Sequence, residues 1–355
     1  MSVKVITDGG DGKRLELDLA TLKNDIRQGS LSAAKSGKID PLTNEDLQAL
    51  TEIFLEPDRV VSVEPGSEVI TTDDGAPTTI YTDNSNGGLS LPVSPGQAAL
   101  IFERVVAADT ACMGLADYSC RPMKPIIEFI ASEYYITSQL STAPLFYGFQ
   151  PNLGLYFQPV GPFPDHFGLM KAGQMKEAMQ AQEDAVKALV DDIVFVTDRL
   201  NEAGVEGINL DTSGSYGDPD MLASLLACER IKENWPDLPV ELGFAGESII
   251  GMNGRMKYQD IRLAGAYPHV QVELAAKAGA SIAGLAVNTN TGMSTPWNLA
   301  RAVTFVKAAS QVAKIPIHVN VGMGVGGLPM DVVPSVGAVS RCSKAMVEIA
   351  KIDGL

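Results

Sequence analysis

No run of about 18 apolar residues occurs anywhere in the 355-residue chain, which excludes a membrane-spanning helix. Basic residues are in the minority. The 27 Lys and Arg face 43 Asp and Glu, for a formal net charge of −16. That sign argues against nucleic acid as a partner and suits solubility or a cationic ligand. Cysteine is sparse, and Cys112, Cys120, Cys228 and Cys342 show no CxxC spacing, so reduced thiols in a cytoplasmic protein are expected rather than a disulfide framework. The three histidines, His166, His269 and His318, form no HxH or HExxH pattern, and no metal site is expected of them. The opening Met1-Ser2-Val3-Lys4 lacks a basic segment followed by an apolar one, so no secretion signal is expected. What is present is ordinary for a globular protein: 45% hydrophobic and 20% charged residues, enough for one large domain or two ordinary ones.

The chain changes texture along its length. Residues 1–140 read as an N-terminal extension. It opens with a hairpin, Val3 to Thr7 and Arg14 to Asp18, around Gly9-Gly10-Asp11-Gly12. A helix starts at Thr43, with Asp46 three residues on in a capping-box position, and stops before Pro57. Residues 60–97, rich in Ser, Thr, Gly, Asp and Pro, suit irregular or small-sheet structure. From 141 to 355 a rhythm sets in. Apolar runs suited to buried parallel strands fall at Leu145 to Phe149, Val205 to Leu210, Pro239 to Phe244, Ile282 to Val287 and Ile315 to Val321. Helical patterns lie between them. One carries Val186, Leu189, Val190, Ile193, Val196 and Leu200 and ends at Gly204, and another closes at Ala278-Gly279. Val336, Val339, Met346 and Ile349 line one face of the last.

Alternation of this kind predicts an α/β fold, either a doubly wound sheet or a (β/α)8 TIM-type barrel. Polar residues at the strand ends favour the barrel, whose sites sit at the C-terminal ends of its strands. About five to six β-α units are present, so the barrel is incomplete. The final Ile352-Asp353-Gly354-Leu355 reads as the start of another strand, and the chain is expected to be cut there.

The candidate catalytic residues are Asp211, Glu241, Glu247, Asn288, His318 and Asn320, all at or near strand ends. A carboxylate there holds an amine, or acts as a general acid once burial raises its pKa. Asp211 answers equally to capping the loop at Thr212 to Gly214. His318 fits both a core position and a catalytic one, sharing a strand face with Asn320. Asp218 and Asp220 flank Pro219 and read as helix caps. Gly322-Met323-Gly324-Val325-Gly326-Gly327 matches GxGxxG after a strand, but Pro329 and Pro334 interrupt the helix entry and no acid caps the next strand. Gly322, Gly324, Gly326 and Gly327 are therefore read as a loop where backbone approaches a large ligand or cofactor closely.

Longer motifs are more specific. LFYGFQPNLGLYFQPVGPF (145–163), INLDTSGSYGDPDM (208–221), FAGESIIGMNG (244–254), VNTNTGMSTPWNLARA (287–302), IHVNVGMGVGGLP (317–329) and SKAMVEIAKIDGL (343–355) run through the chain. With GDGKR (10–14), they make it resemble the dimethylamine:corrinoid methyltransferases over essentially its whole length. The resemblance implies methyl transfer from dimethylamine to the Co(I) corrinoid of a cognate corrinoid protein, with release of monomethylamine. It implies no cofactor held by this chain itself. It also places pyrrolysine, encoded by an amber codon, directly after Leu355, with the remaining barrel strands beyond it; a chain stopping at Leu355 is then expected to be inactive. Nearby acids are implied to protonate the imine and hold the ammonium. Two readings from other classes are a lyase or decarboxylase barrel needing no corrinoid partner, and a non-catalytic binding fragment. A homo-oligomeric state stays open.

Overall fold

A computed structural model describes residues 4–69, 78–81, 88–91, 146–322, 324–331 and 334–355. The chain divides into two compact units, residues 1–70 with 146–355, and residues 71–145. Cys112, Cys120 and most of the Ser/Gly/Pro-rich segment lie outside the described residues, as do Val3, Leu145 and Met323.

The first unit opens with antiparallel β1 (Lys4–Asp8) and β2 (Arg14–Asp18), in register from Lys4 opposite Asp18. Helix α1 (Leu19–Gly37) starts where the Asp18 side chain accepts the Thr21 N–H. Helix α2 (Asn44–Leu55) carries the expected capping box: Thr43 Oγ1 accepts the Asp46 N–H, and Asp46 accepts the Thr43 N–H. The described part of the second unit is an antiparallel pair, β3 (Thr78–Tyr81) and β4 (Gly88–Leu91).

The first unit resumes with β5 (Phe146–Phe149), α3 (His166–Lys171) and α4 (Met175–Glu202). Then come β6 (Gly207–Ser213), α5 (Asp218–Asn234) and β7 (Val240–Phe244). A short antiparallel ribbon follows, β8 (Lys257–Tyr258) with β9 (Ile261–Arg262). Helix α6 (Pro268–Lys277), β10 (Ile282–Leu285), α7 (Thr295–Val312), β11 (Ile317–Val319) and α8 (Val336–Ala345) complete it, the last helix running into a wider π turn over Met346–Ala350.

One sheet organises this unit. Its order is β11-β10-β7-β6-β5, and every pairing is parallel. Apart from the β8–β9 ribbon, strands adjacent in space are successive in sequence, so the described strands contain no reversal of order. Beyond β11, Gly354 pairs in parallel with His318, and its carbonyl accepts the Val319 N–H at 3.1 Å. The fold is α/β, with a parallel sheet that does not close among the described residues.

The two faces of the sheet differ. Ile208 and Leu210, Val240 and Leu242, Ala283 and Leu285, and Ile317 and Val319 are at most 1% exposed and form the apolar face. It belongs to one core with buried residues of α4 (Val186, Leu189, Val190, Ile193), α5 (Leu225, Ile231) and α7 (Leu299, Val303, Val306). Each such side chain contributes about 1.5–3 kcal/mol on burial. Helix ends fall where expected: Gly204 and Gly279 take φ of +87° and +81°, a left-handed geometry that costs glycine little. Helix α1 lies along α7, and at Gly29 an added Cβ would sit 2.1 Å from the Trp297 carbonyl oxygen.

Some boundaries move. Strand β10 stops at Leu285 because the Val287 carbonyl turns to accept the Gly326 N–H and Asn288 bridges to Val325. Val196 and Val336, read as parts of apolar helix faces, are 40% and 53% exposed. The helix-cap reading of Asp218 and Asp220 is also corrected. α5 has no side-chain cap, and both carboxylates reach to other loops.

Candidate active site

Alternation along the strands puts every second residue on the sheet's other face. Register aligns Asn209 with Glu241, Gly243 with Gly284, and Gly284 with His318. Asn209, Asp211, Glu241 and His318 are all half-buried there, unlike their apolar neighbours. This face carries amide, carboxylate and imidazole groups, with two bare glycines between them.

The glycines make the arrangement possible. A Cβ on Gly284 would stand 2.8 Å from Glu241 Oε1, so the Glu241 side chain lies across β10. It reaches His318 on β11, whose Nδ1 is 3.0 Å from the same oxygen. A Cβ on Gly243 would lie 3.3 Å from Asp211 Oδ1 and 3.4 Å from Asn209 Oδ1, so these two side chains overhang one glycine. Asn209 Oδ1 is buried without a hydrogen-bond partner among the described residues.

Asp211 accepts the Thr212 N–H at 2.7 Å and the Gln150 amide at 3.2 Å. Both donors are neutral, and no ion pair forms with it among the described residues. Thr212 takes φ +53°, and Gly214 follows at +85°, so the chain turns sharply off the end of β6. Asp220 holds that turn: it is fully buried and accepts N–H groups from Leu153 at 3.0 Å and Gly214 at 2.9 Å. Burial pushes its carboxyl up to about 6, against the pull of those N–H groups. Asp218 accepts three backbone N–H groups, from Met252, Asn253 and Gly254, at 2.6–2.9 Å.

Glu247 is placed differently. Arg301 of α7 grips it with two hydrogen bonds, at 2.5 and 3.2 Å, and Arg301 also donates to Ser32 of α1 at 2.7 Å. Its charge is therefore already neutralised. Asn288 is exposed, and its Oδ1 accepts the Glu247 N–H at 3.3 Å. Asn320 follows β11, with its N–H on the Leu285 carbonyl. In the glycine-rich loop, a Cβ at Gly326 would lie 2.7 Å from the Asn320 carbonyl, and one at Gly327 would lie 2.7 Å from Leu299 Cα. Close internal packing therefore accounts for those two glycines. Gly324 takes φ +71°, while Gly322 has open space around it.

The loops at this end of the sheet are tied to the amino-terminal hairpin. Gly10 donates to the Met293 carbonyl and accepts from Met330, Thr295 donates to the Asp8 carbonyl, and Ser335 donates to the Asp8 carboxylate. A cavity of about 240 Å³ opens beside the site, between Ser213 to Ser215, Phe244 to Gly246 and Asn288.

Sequence reasoning named Asp211, Glu241 and His318 as strand-end residues, and strand register puts the three on one face. It passed over Gly243, Gly284 and Gln150. The usable signal was the alternation itself. A parallel strand buried on both faces reads as continuous apolar sequence, whereas these strands alternate apolar residues with polar ones or glycine. Among the described residues no cluster of His, Cys, Asp and Glu has the arrangement of a metal site, and no helix is long and apolar enough to cross a membrane. A family model described as dimethylamine methyltransferase matches residues 4–355. No solved structure matches the chain.

Proposed function

Because the chain belongs to the dimethylamine methyltransferase family, we propose that it takes a methyl group from dimethylammonium for the Co(I) corrinoid of a separate, cognate protein, releasing monomethylamine. The observation that carries this reading is the polar face over Gly243 and Gly284. Among the described residues, Asp211 there is a carboxylate met only by neutral donors, beside an oxygen of Asn209 without a hydrogen-bond partner. Dimethylammonium offers what such a site lacks: one positive charge and two N–H donors. A charge-assisted hydrogen bond to a partly buried carboxylate is about twice as strong as a neutral one, and it fixes the nitrogen. Holding the amine in one orientation then supplies much of the rate.

The family resemblance implies two further groups. Pyrrolysine would supply an electrophilic imine carbon for the amine, and the corrinoid of the separate protein would supply the cobalt that accepts the methyl group. The strip left bare by the two glycines fits a reacting group approaching this face. Asp211, Glu241, His318 and Asn320 are the residues that would surround it. The same reading makes the sheet a sector of a (β/α)8 barrel with the polar face inward. Sequential parallel order without reversal, and the pairing of Gly354 beside β11, support it.

The test uses enzyme made in a host that synthesises pyrrolysine, mixed with the reduced corrinoid protein and dimethylamine while methyl-cobalt absorbance is followed. Methyl-cobalt should form with dimethylamine, and Asp211→Asn should raise KM for the amine about tenfold or more, the loss of one charge-assisted contact. Absence of methyl-cobalt in the wild type would overturn the reading.

A further inference from the structure

We infer that Asn209 of β6 selects the substrate by its number of N–H groups, so that a secondary ammonium binds and a tertiary one is disfavoured. This rests on the function proposed above and deepens it, since it names the residue that separates dimethylammonium from more methylated amines. Methylation leaves the charge of an ammonium unchanged and removes its N–H donors one at a time. Dimethylammonium has two, trimethylammonium one and tetramethylammonium none. A carboxylate alone reads the charge and a single donor. Discrimination at the second donor needs a second acceptor placed beside the first.

Asn209 supplies that acceptor. The point where a Cβ on Gly243 would stand lies 3.3 Å from Asp211 Oδ1 and 3.4 Å from Asn209 Oδ1, so both oxygens converge on the same bare stretch of β7. Asp211 follows Asn209 by two positions along β6, which puts the two side chains on one face. Register sets Asn209 between Glu241 of β7 and Gly148 of β5, a further residue without a side chain. Asn209 Oδ1 is buried, with no hydrogen-bond partner among the described residues. An empty buried acceptor lowers the stability of the free protein, and an apolar residue of similar shape would serve the fold as well or better. A donor on the ligand removes that deficit.

Dimethylammonium gives one N–H to Asp211 and the other to Asn209. Trimethylammonium, with its single N–H on Asp211, turns a methyl group toward Asn209 and leaves a dry, unpaired oxygen. A site built to hydrogen-bond a donor rejects the analogue lacking it for this reason. Monomethylammonium, with three donors, satisfies both oxygens. The selection is therefore one-sided, and the product should compete with the substrate.

The experiment titrates the pyrrolysine-containing enzyme calorimetrically with di- and trimethylammonium, without the corrinoid protein. Asn209→Leu should reduce the preference for dimethylammonium over trimethylammonium about tenfold, the loss of one charge-assisted contact. Asp211→Asn should instead weaken both amines alike. The urea midpoint of Asn209→Leu should not fall below that of the wild type, which a structural role for Asn209 would require. Asn209→Ala should repeat the loss of preference, and it replaces the leucine variant if that one does not fold. A preference changed by less than about twofold in the folded variants overturns the proposal, whether or not methyl-cobalt forms. If wild type binds dimethylammonium in an Asn209-dependent way but forms no methyl-cobalt, the selection stands and the proposed function fails. A wild type that binds no dimethylammonium overturns both.

Discussion

His318 and Glu241 lie 3.0 Å apart although a whole strand, β10, runs between theirs. Contact across an intervening strand is available only where that strand carries no side chain on the shared face, and Gly284 meets the condition. Gly243 on β7 leaves room in a simpler way, for Asn209 and Asp211 of the adjacent strand β6 to overhang it. The chemistry of this face therefore depends on two residues that have none of their own.

Gly29→Ala should destabilise the protein by about 2–3 kcal/mol, because a Cβ at 2.1 Å from a backbone carbonyl forces α1 away from α7. Urea unfolding measures it. An effect under half a kcal/mol would show that the helices separate freely.

Asp218→Ala should cost about 3 kcal/mol or more. It strips three part-buried N–H groups, at Met252, Asn253 and Gly254, of their common acceptor. Proteolysis near residues 252–254 should rise in parallel. Unchanged cleavage there would refute the role.

Asp220 makes stability depend on pH in the direction opposite to most carboxylates. Its folded pKa, about 6, lies above its ordinary value of 3.8, so the folded state binds the extra proton. The contribution is full below the unfolded pKa and is lost as pH rises through about 6. The stability of the wild type relative to Asp220→Asn should therefore fall by about 2 kcal/mol between pH 4 and pH 7. Paired denaturation curves at the two pH values test this, and a flat or rising difference would contradict it.

Glu247→Gln should lower stability by about 2 kcal/mol by leaving Arg301 half-paired in a mostly buried setting. At a temperature where both proteins are folded, kcat should change less than about threefold, an energy well under 1 kcal/mol. A hundredfold loss would return Glu247 to the reacting groups.

Much of this architecture is legible in the chain. Five parallel strands, the Thr43–Asp46 capping box and the terminating glycines Gly204 and Gly279 all appear close to where pattern and turn chemistry put them. Asp211, Glu241 and His318 could be named because strand-end polarity is local information. Other features are not local. The partner of Glu247 lies 54 positions away on α7, and the N–H groups around Asp218 lie 34 to 36 positions away. For Asp218 and Asp220, a helix-start position next to proline matched a local cap so well that the long-range contacts were hidden. Gly243 and Gly284 lack any side-chain chemistry, so only strand register reveals why they are needed.

The link from the Gly9–Gly12 turn to Met293 and Met330 has a consequence for biosynthesis. The ribosome delivers that turn first, and its partners emerge some 280 residues later. At roughly 5–20 residues per second, that is a wait of about 15 to 60 seconds. Throughout it the hairpin must stay unattached and the loops of the site unpinned. Final shaping of the loops at this end of the sheet is thus a late event in the life of each molecule, and a bulky fusion ahead of Lys4 should delay it more than it delays the sheet.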